Sequence, residues 1–120
     1  MKRAATVLVG LVALEHLWIM ILEMFLWRTE YVRKAFNTTP AFAEATMTMA
    51  ANQGLYNGFL AAGLVWGLLI DSGRVAVFFL SCVIVAGVFG AVTVKPSILF
   101  IQALPAAAAL VFAVLSRTRG

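Results

Sequence analysis

The sequence predicts an all-α integral membrane protein, a four-helix bundle whose first two helices protrude on one side as a hairpin. Three observations predict it. The 120-residue chain is 63% apolar and only 12% charged, where a soluble domain is about half apolar and about a quarter charged. A domain this small leaves much of its surface exposed and cannot hide that excess in a core. Apolar runs near the length of about 20 residues that crosses a bilayer follow one another, with short polar breaks, over nearly the whole chain. Finally, Lys and Arg gather at the ends of those runs, where they anchor membrane spans. They make no patch interleaved with aromatics, so nucleic-acid binding is not expected. A single transmembrane domain, 1–120, follows, with helices at about 4–36, 40–70, 75–94 and 98–116.

The first helix begins after Lys2 and Arg3. A signal peptide would be shorter and would end in a small-residue cleavage site, so this run reads as a retained span. It is apolar from Ala4 to Trp27, and its pattern continues through Tyr31, Val32 and Phe36. Trp27 beside Arg28 fits the aromatic belt at the membrane border. Asn37-Thr38-Thr39-Pro40 is a boundary. Thr39 can cap the next helix and Pro40 suits its first position. That second helix, to about Ile70, would be about 45 Å long, more than the roughly 30 Å apolar core; hence the protruding hairpin. Asp71-Ser72-Gly73-Arg74 is a turn, and a chemically plain third helix follows. Lys95-Pro96-Ser97 turns into a fourth helix holding Gln102, with an irregularity expected at Pro105.

With four spans both termini share a side. That side carries Lys2, Arg3, Arg74, Arg117 and Arg119, against Arg28, Arg33, Lys34 and Lys95 opposite. Five against four places the termini in the cytoplasm of a bacterial inner membrane. Small residues recur at four-residue spacing: Gly54, Gly58 and Ala62, Gly63 and Gly67, Ala86 and Gly90, Gly87 and Ala91. Such spacing lets helix backbones approach closely in lipid. Packing within the bundle is the favoured use; a homodimer through these Gly/Ala faces is the alternative.

The functional signal lies in the first helix. Glu15, His16 and Glu23 interrupt an otherwise greasy run. Ionisable groups in a span face a protein interior or a wet cavity and mark function by default. At about 100° per residue, His16, Met20, Glu23 and Trp27 form one stripe, with Glu15 beside it. On the second helix Gln53 and Asn57 share a face, with Asn52 and Tyr56 adjacent. Glu23 lies about 12 Å beyond Glu15 along the axis. Glu23, Asn52, Gln53, Asn57 and Gln102 are therefore expected in the hairpin-side leaflet, with Trp18, Trp27 and Lys95 at the rim. A carboxyl and an imidazole in a low-dielectric interior suit proton exchange or the holding of a hydrogen-bonding ligand. The competing use is interhelical glue, at about 0.6–2 kcal/mol per bond. No metal site is expected from two acids and one His without thiolates, and one lone His is thin support for haem. No cofactor is specified. Cys82 has no cysteine to pair with, and Ser81 and Cys82 lack a base in the sequence.

The stretch from His16 through Trp27, with Glu23, and then Asn52-Gln53-Gly54-Leu55-Tyr56-Asn57-Gly58-Phe59-Leu60-Ala61-Ala62-Gly63, resembles the domain-of-unknown-function 1304 family of small bacterial integral membrane proteins. The resemblance implies a four-helix membrane protein and supports His16, Glu23, Asn52, Gln53 and Asn57 as site candidates; it supplies no substrate. The small multidrug-resistance transporters also have four spans and an acid in the first. This chain departs from them in His16, Glu23 and the helix-2 amides, which leaves an analogy of fold alone.

Three functions are weighed. The first is a protein that binds or transports a small amphiphilic molecule, with proton coupling. The second is an intramembrane enzyme acting on a lipid or isoprenoid-like substrate, with Glu15 or Glu23 as general acid/base and His16 as its partner. The third is a structural or accessory subunit. The expected partners are the bilayer and an amphiphilic ligand or lipid.

Overall fold

A computed structural model describes residues 2–119, with side chains through residue 117; the Arg119 side chain counted above lies outside the described residues. The chain is all-α. Helix α1 spans Arg3–Phe25, α2 Glu30–Phe36, α3 Pro40–Leu69, α4 Gly73–Thr93 and α5 Leu104–Arg119. A π-helical turn, Leu99–Ala103, leads directly into α5. Among the described residues three helices are long and apolar enough to cross a membrane: Arg3–Phe25, Gly73–Thr93 and Leu99–Arg117. The longest helix, α3, carries Glu44, Thr46, Thr48, Asn52, Gln53 and Asn57 in its first two-thirds, and these hold its hydropathy down.

The continuous helix expected over residues 4–36 is broken after Phe25. Apolar spacing runs on through Tyr31 and Val32, but local hydrogen bonds override it. The Leu26 carbonyl accepts from Thr29 N at 3.0 Å and from Thr29 Oγ1 at 2.7 Å. Thr29 then caps α2, accepting from Val32 N at 3.3 Å. One hydroxyl thus closes a turn and opens the next helix. Glu30 in the first turn of α2 and Arg33 and Lys34 in its last match the helix dipole.

The other boundaries follow their sequence signals. Thr39 Oγ1 accepts from Phe42 N at 3.1 Å, with Pro40 at the first position of α3. Ser72 caps α4 at Val75 N, 3.2 Å. Two helices end in Schellman motifs: Thr38 N reaches Arg33 O at 2.9 Å, and Ser72 N reaches Gly67 O at 2.9 Å. The left-handed residues are Asn37 (φ 57°) and Asp71 (φ 50°), not glycine.

At Pro105 the proline lacks the N–H that would bond Ile101 O. The ladder widens just ahead of it, and Leu104 N bonds Leu99 O, five residues back. The irregularity expected at Pro105 is thus a π-turn on its N-terminal side.

Two compact units make up the chain. The first comprises Met1–Leu14 and Leu60–Gly120. Its core packs Val9, Val12, Ala13, Leu64, Ala76, Leu80, Val83, Ala106, Ala109 and Ala113. Close backbone approach is built in. A Cβ at Gly87 would lie 2.9 Å from Ala103 N, and one at Gly63 would run into the Phe79 ring. Outward, α4 shows Phe78, Val85, Phe89 and Val92, all more than 60% exposed. The second unit, Glu15–Phe59, holds the end of α1, all of α2 and the first part of α3.

Candidate functional site

Within the second unit, α1 and α3 meet along the Gly54/Gly58 groove. A Cβ at Gly54 would lie 2.6 Å from Met24 Cγ, 3.0 Å from Glu23 Cβ and 3.1 Å from Met20 O. One at Gly58 would lie 2.7 Å from Met20 Sδ. The absence of side chains at both positions lets Met20, Glu23 and Met24 lie directly on α3. Glu23 is thereby brought to Asn57, whose Nδ2 donates to Glu23 Oε1 at 2.6 Å and also to the Gln53 carbonyl at 3.2 Å. The short contact joins a carboxyl oxygen to an amide N–H in a half-buried setting.

Two turns earlier on α1, His16 is fully buried. Its Nδ1 lies 3.8 Å from Glu15 Oε1, outside hydrogen-bond range. Glu15 Oε1 is itself buried and has no hydrogen-bond partner. Among native structures a buried acceptor without a partner is the exception, and packing alone does not account for this one.

The remaining candidates are dispersed. Asn52, Gln53 and Tyr56 expose their side chains on α3, and the Tyr56 ring lies 6.1 Å from that of Phe59. Gln102, half-buried in the π-turn, and exposed Lys95 belong to the first unit. Trp18 is 47% exposed. Trp27 is fixed: its indole N–H donates to Thr46 Oγ1 at 3.1 Å, and its ring meets Phe36 edge-on at 5.1 Å. Among the described residues no three His, Cys, Asp or Glu side chains converge to hold a metal ion.

Two features escaped sequence reasoning. One is Thr46, the partner of Trp27. The other is a depression of about 300 Å3 lined by Met24, Phe25, Trp27, Arg28, Thr29 and Met47. The Trp27-Arg28 pair was its only signal, and it reads equally as a membrane flank.

Comparison with known proteins gives a family and a relative. The sequence profile of the family described as "Protein of unknown function (DUF1304)" matches residues 10–114. The chain is 30% identical over 96 residues to "Uncharacterized protein YpaA" of Lactococcus lactis subsp. lactis (strain IL1403), covering 77% of this chain and 81% of that one. No solved structure gives a significant match. The match spans α1 to the last turns of α5 and takes in both the Glu15–Glu23 segment and the Asn52–Asn57 face: the chain belongs to the DUF1304 family.

Proposed function

We propose that the protein is a four-span membrane protein that binds or transports a small amphiphilic molecule, with a proton carried by Glu15, His16 or Glu23. In this reading α3 is the fourth span, crossing with its later residues while its start and α2 stand out from the bilayer. The exposed apolar side chains of α4 and the three span-length helices support the membrane placement. The placement has the termini on the cytoplasmic side, by the weak excess of basic residues there.

One observation carries the ligand reading: the buried oxygen of Glu15, without a hydrogen-bond partner and 3.8 Å from Nδ1 of the fully buried His16. An acid in this setting is costly in hydrocarbon. It becomes useful when a guest or a proton meets it. Native mass spectrometry of the protein extracted from its own membrane tests the reading. Wild type should carry a retained small molecule that Glu15→Gln and His16→Ala release. A bare protein mass, with proton uptake in proteoliposomes unchanged in both variants, would refute it.

The Glu23–Asn57 bond at 2.6 Å favours a second reading, in which that pair fixes helix register in a structural subunit. That reading expects Glu23→Gln and Asn57→Leu to lower stability and to alter neither the retained mass nor proton uptake.

A further inference from the structure

The depression beside Trp27 holds a cation that the site above does not use. Two of its polar walls are already engaged. The Trp27 indole N–H goes to Thr46. The Thr29 hydroxyl donates to the Leu26 carbonyl and accepts from Val32 N. What remains is a wall of two thioethers and two aromatic rings, ended by the Arg28 guanidinium.

That guanidinium has five N–H donors. Its Nη1 meets Glu44 Oε2 at 2.9 Å, in a pair whose side chains are 58% and 64% exposed; such pairs are weak. Arg33 Nε donates to the Arg28 carbonyl at 3.3 Å, which keeps a second guanidinium on the same turn. Glu30 is met by Lys34 at 3.2 Å. The segment thus sets Arg28, Arg33 and Lys34 against Glu30 and Glu44, a cationic surplus beside an apolar wall.

We propose that this depression seats the phosphate head of an anionic phospholipid of the surrounding bilayer. The phosphate lies on Arg28, and the first chain carbons lie along Met24, Phe25 and Met47. Charge and depth point to this occupant. The span-length helix α1 ends at Phe25, and Trp27 follows where indoles favour the border between hydrocarbon and water. Guanidinium groups take phosphate oxygens bidentately. Methionine walls adapt to chains of varied shape. A volume of about 300 Å3, at the small end of ligand pockets, fits a headgroup and its first methylenes. The proposal rests on the membrane placement above and is independent of the Glu15/His16 ligand.

The test uses the full chain with Trp18→Phe and Trp66→Phe, which leaves Trp27 as the sole indole. The protein is reconstituted in vesicles containing brominated phosphatidylglycerol or brominated phosphatidylcholine, and Trp27 fluorescence is followed. Phosphatidylglycerol should quench at lower mole fraction, with a preference of about fivefold, the contribution of one basic residue near an anionic surface. Arg28→Gln and high salt should abolish the preference, and Glu44→Gln should raise it. Equal quenching by the two lipids, or a preference that survives Arg28→Gln, overturns the proposal. If Arg28→Gln does not fold, Glu44→Gln decides, and no rise in preference overturns it. Displacement by millimolar inorganic phosphate would mark a general anion site and also overturn it. Failure of the chain to float with vesicles would sink the membrane placement and this proposal together.

Discussion

Gly54 and Gly58 form one motif in the sequence, yet the structure makes them unequal. A methyl group at Gly54 would meet Met24 Cγ at 2.6 Å, Glu23 Cβ at 3.0 Å and Met20 O at 3.1 Å. The first contact yields by a side-chain rotation. The other two are bound to the α1 backbone, so α1 must retreat by several tenths of an ångström. At Gly58 the close contact is Met20 Sδ at 2.7 Å, the end of a flexible thioether. Alanine gains about 1 kcal/mol of helix propensity at either position. Overpacking costs about 1–3 kcal/mol, and retreat at Gly54 also stretches the Glu23–Asn57 bond, worth about 0.6 kcal/mol. Gly54→Ala should therefore lose about 1–2 kcal/mol, while Gly58→Ala should stay within about 0.5 kcal/mol of wild type. Unfolding in mixed micelles by dodecyl sulfate titration, read by helical circular dichroism, measures both. Equal losses at the two glycines, or an undisturbed Gly54→Ala protein, would refute the account of this helix contact.

A double-mutant cycle with Glu23→Gln and Asn57→Leu should give a coupling of about 0.6–1.7 kcal/mol in the same titration, and that coupling should vanish in the Gly54→Ala background. Gly87→Ala, whose Cβ would sit 2.9 Å from Ala103 N, should lose about 1–2 kcal/mol, overpacking against backbone exceeding the helix propensity gained. Asn37→Gly should gain a few tenths of a kcal/mol at its left-handed position and Asn37→Val should lose about 1–2 kcal/mol, both read by thermal unfolding. Trp27→Phe should lose about 1 kcal/mol with its bond to Thr46, and Thr46→Val added to it should cost little more, both read by the same dodecyl sulfate titration.

Much of the helical layout was legible because its signals are local. Thr39 and Pro40 announce α3, and Ser72 announces α4, through hydroxyls acting within three residues. The break at Leu26–Thr29 was not legible. Tyr31, Val32 and Phe36 continue the apolar period, no glycine or proline interrupts it, and the bonds that end α1 compete only weakly on paper. The Gly54 groove could be read, and helical spacing put Met20 on the stripe that meets it, but Met24, which also fills it, carries no mark of its own. The same limit applies to the polar set. Helical spacing places Glu23 and Asn57 on faces that can meet, and they do. Spacing also groups Gln102 and Lys95 with them by depth alone, which says nothing of lateral position; both fall in the first unit. Asn52 is turned about 140° away from Asn57, and Gln53, one turn before Asn57 on the same face, exposes its side chain and offers Asn57 only its carbonyl.

The turn before Pro105 sets an angular phase. One turn of α4, from Gly87 to Gly90, is matched on the helical segment facing it by Ala103 and Ile98, five positions apart where an ordinary helix would offer three or four. The wide turn absorbs the surplus residue, so that Ala106, Ala109 and Ala113 arrive facing inward. Removing one residue between 99 and 103 would narrow the wide turn and leave that alanine edge in place, whereas removing one just after Ala106 would carry Ala109 and Ala113 about 100° off the seam. This short stretch is therefore where the helix can absorb a change of length that its later turns cannot.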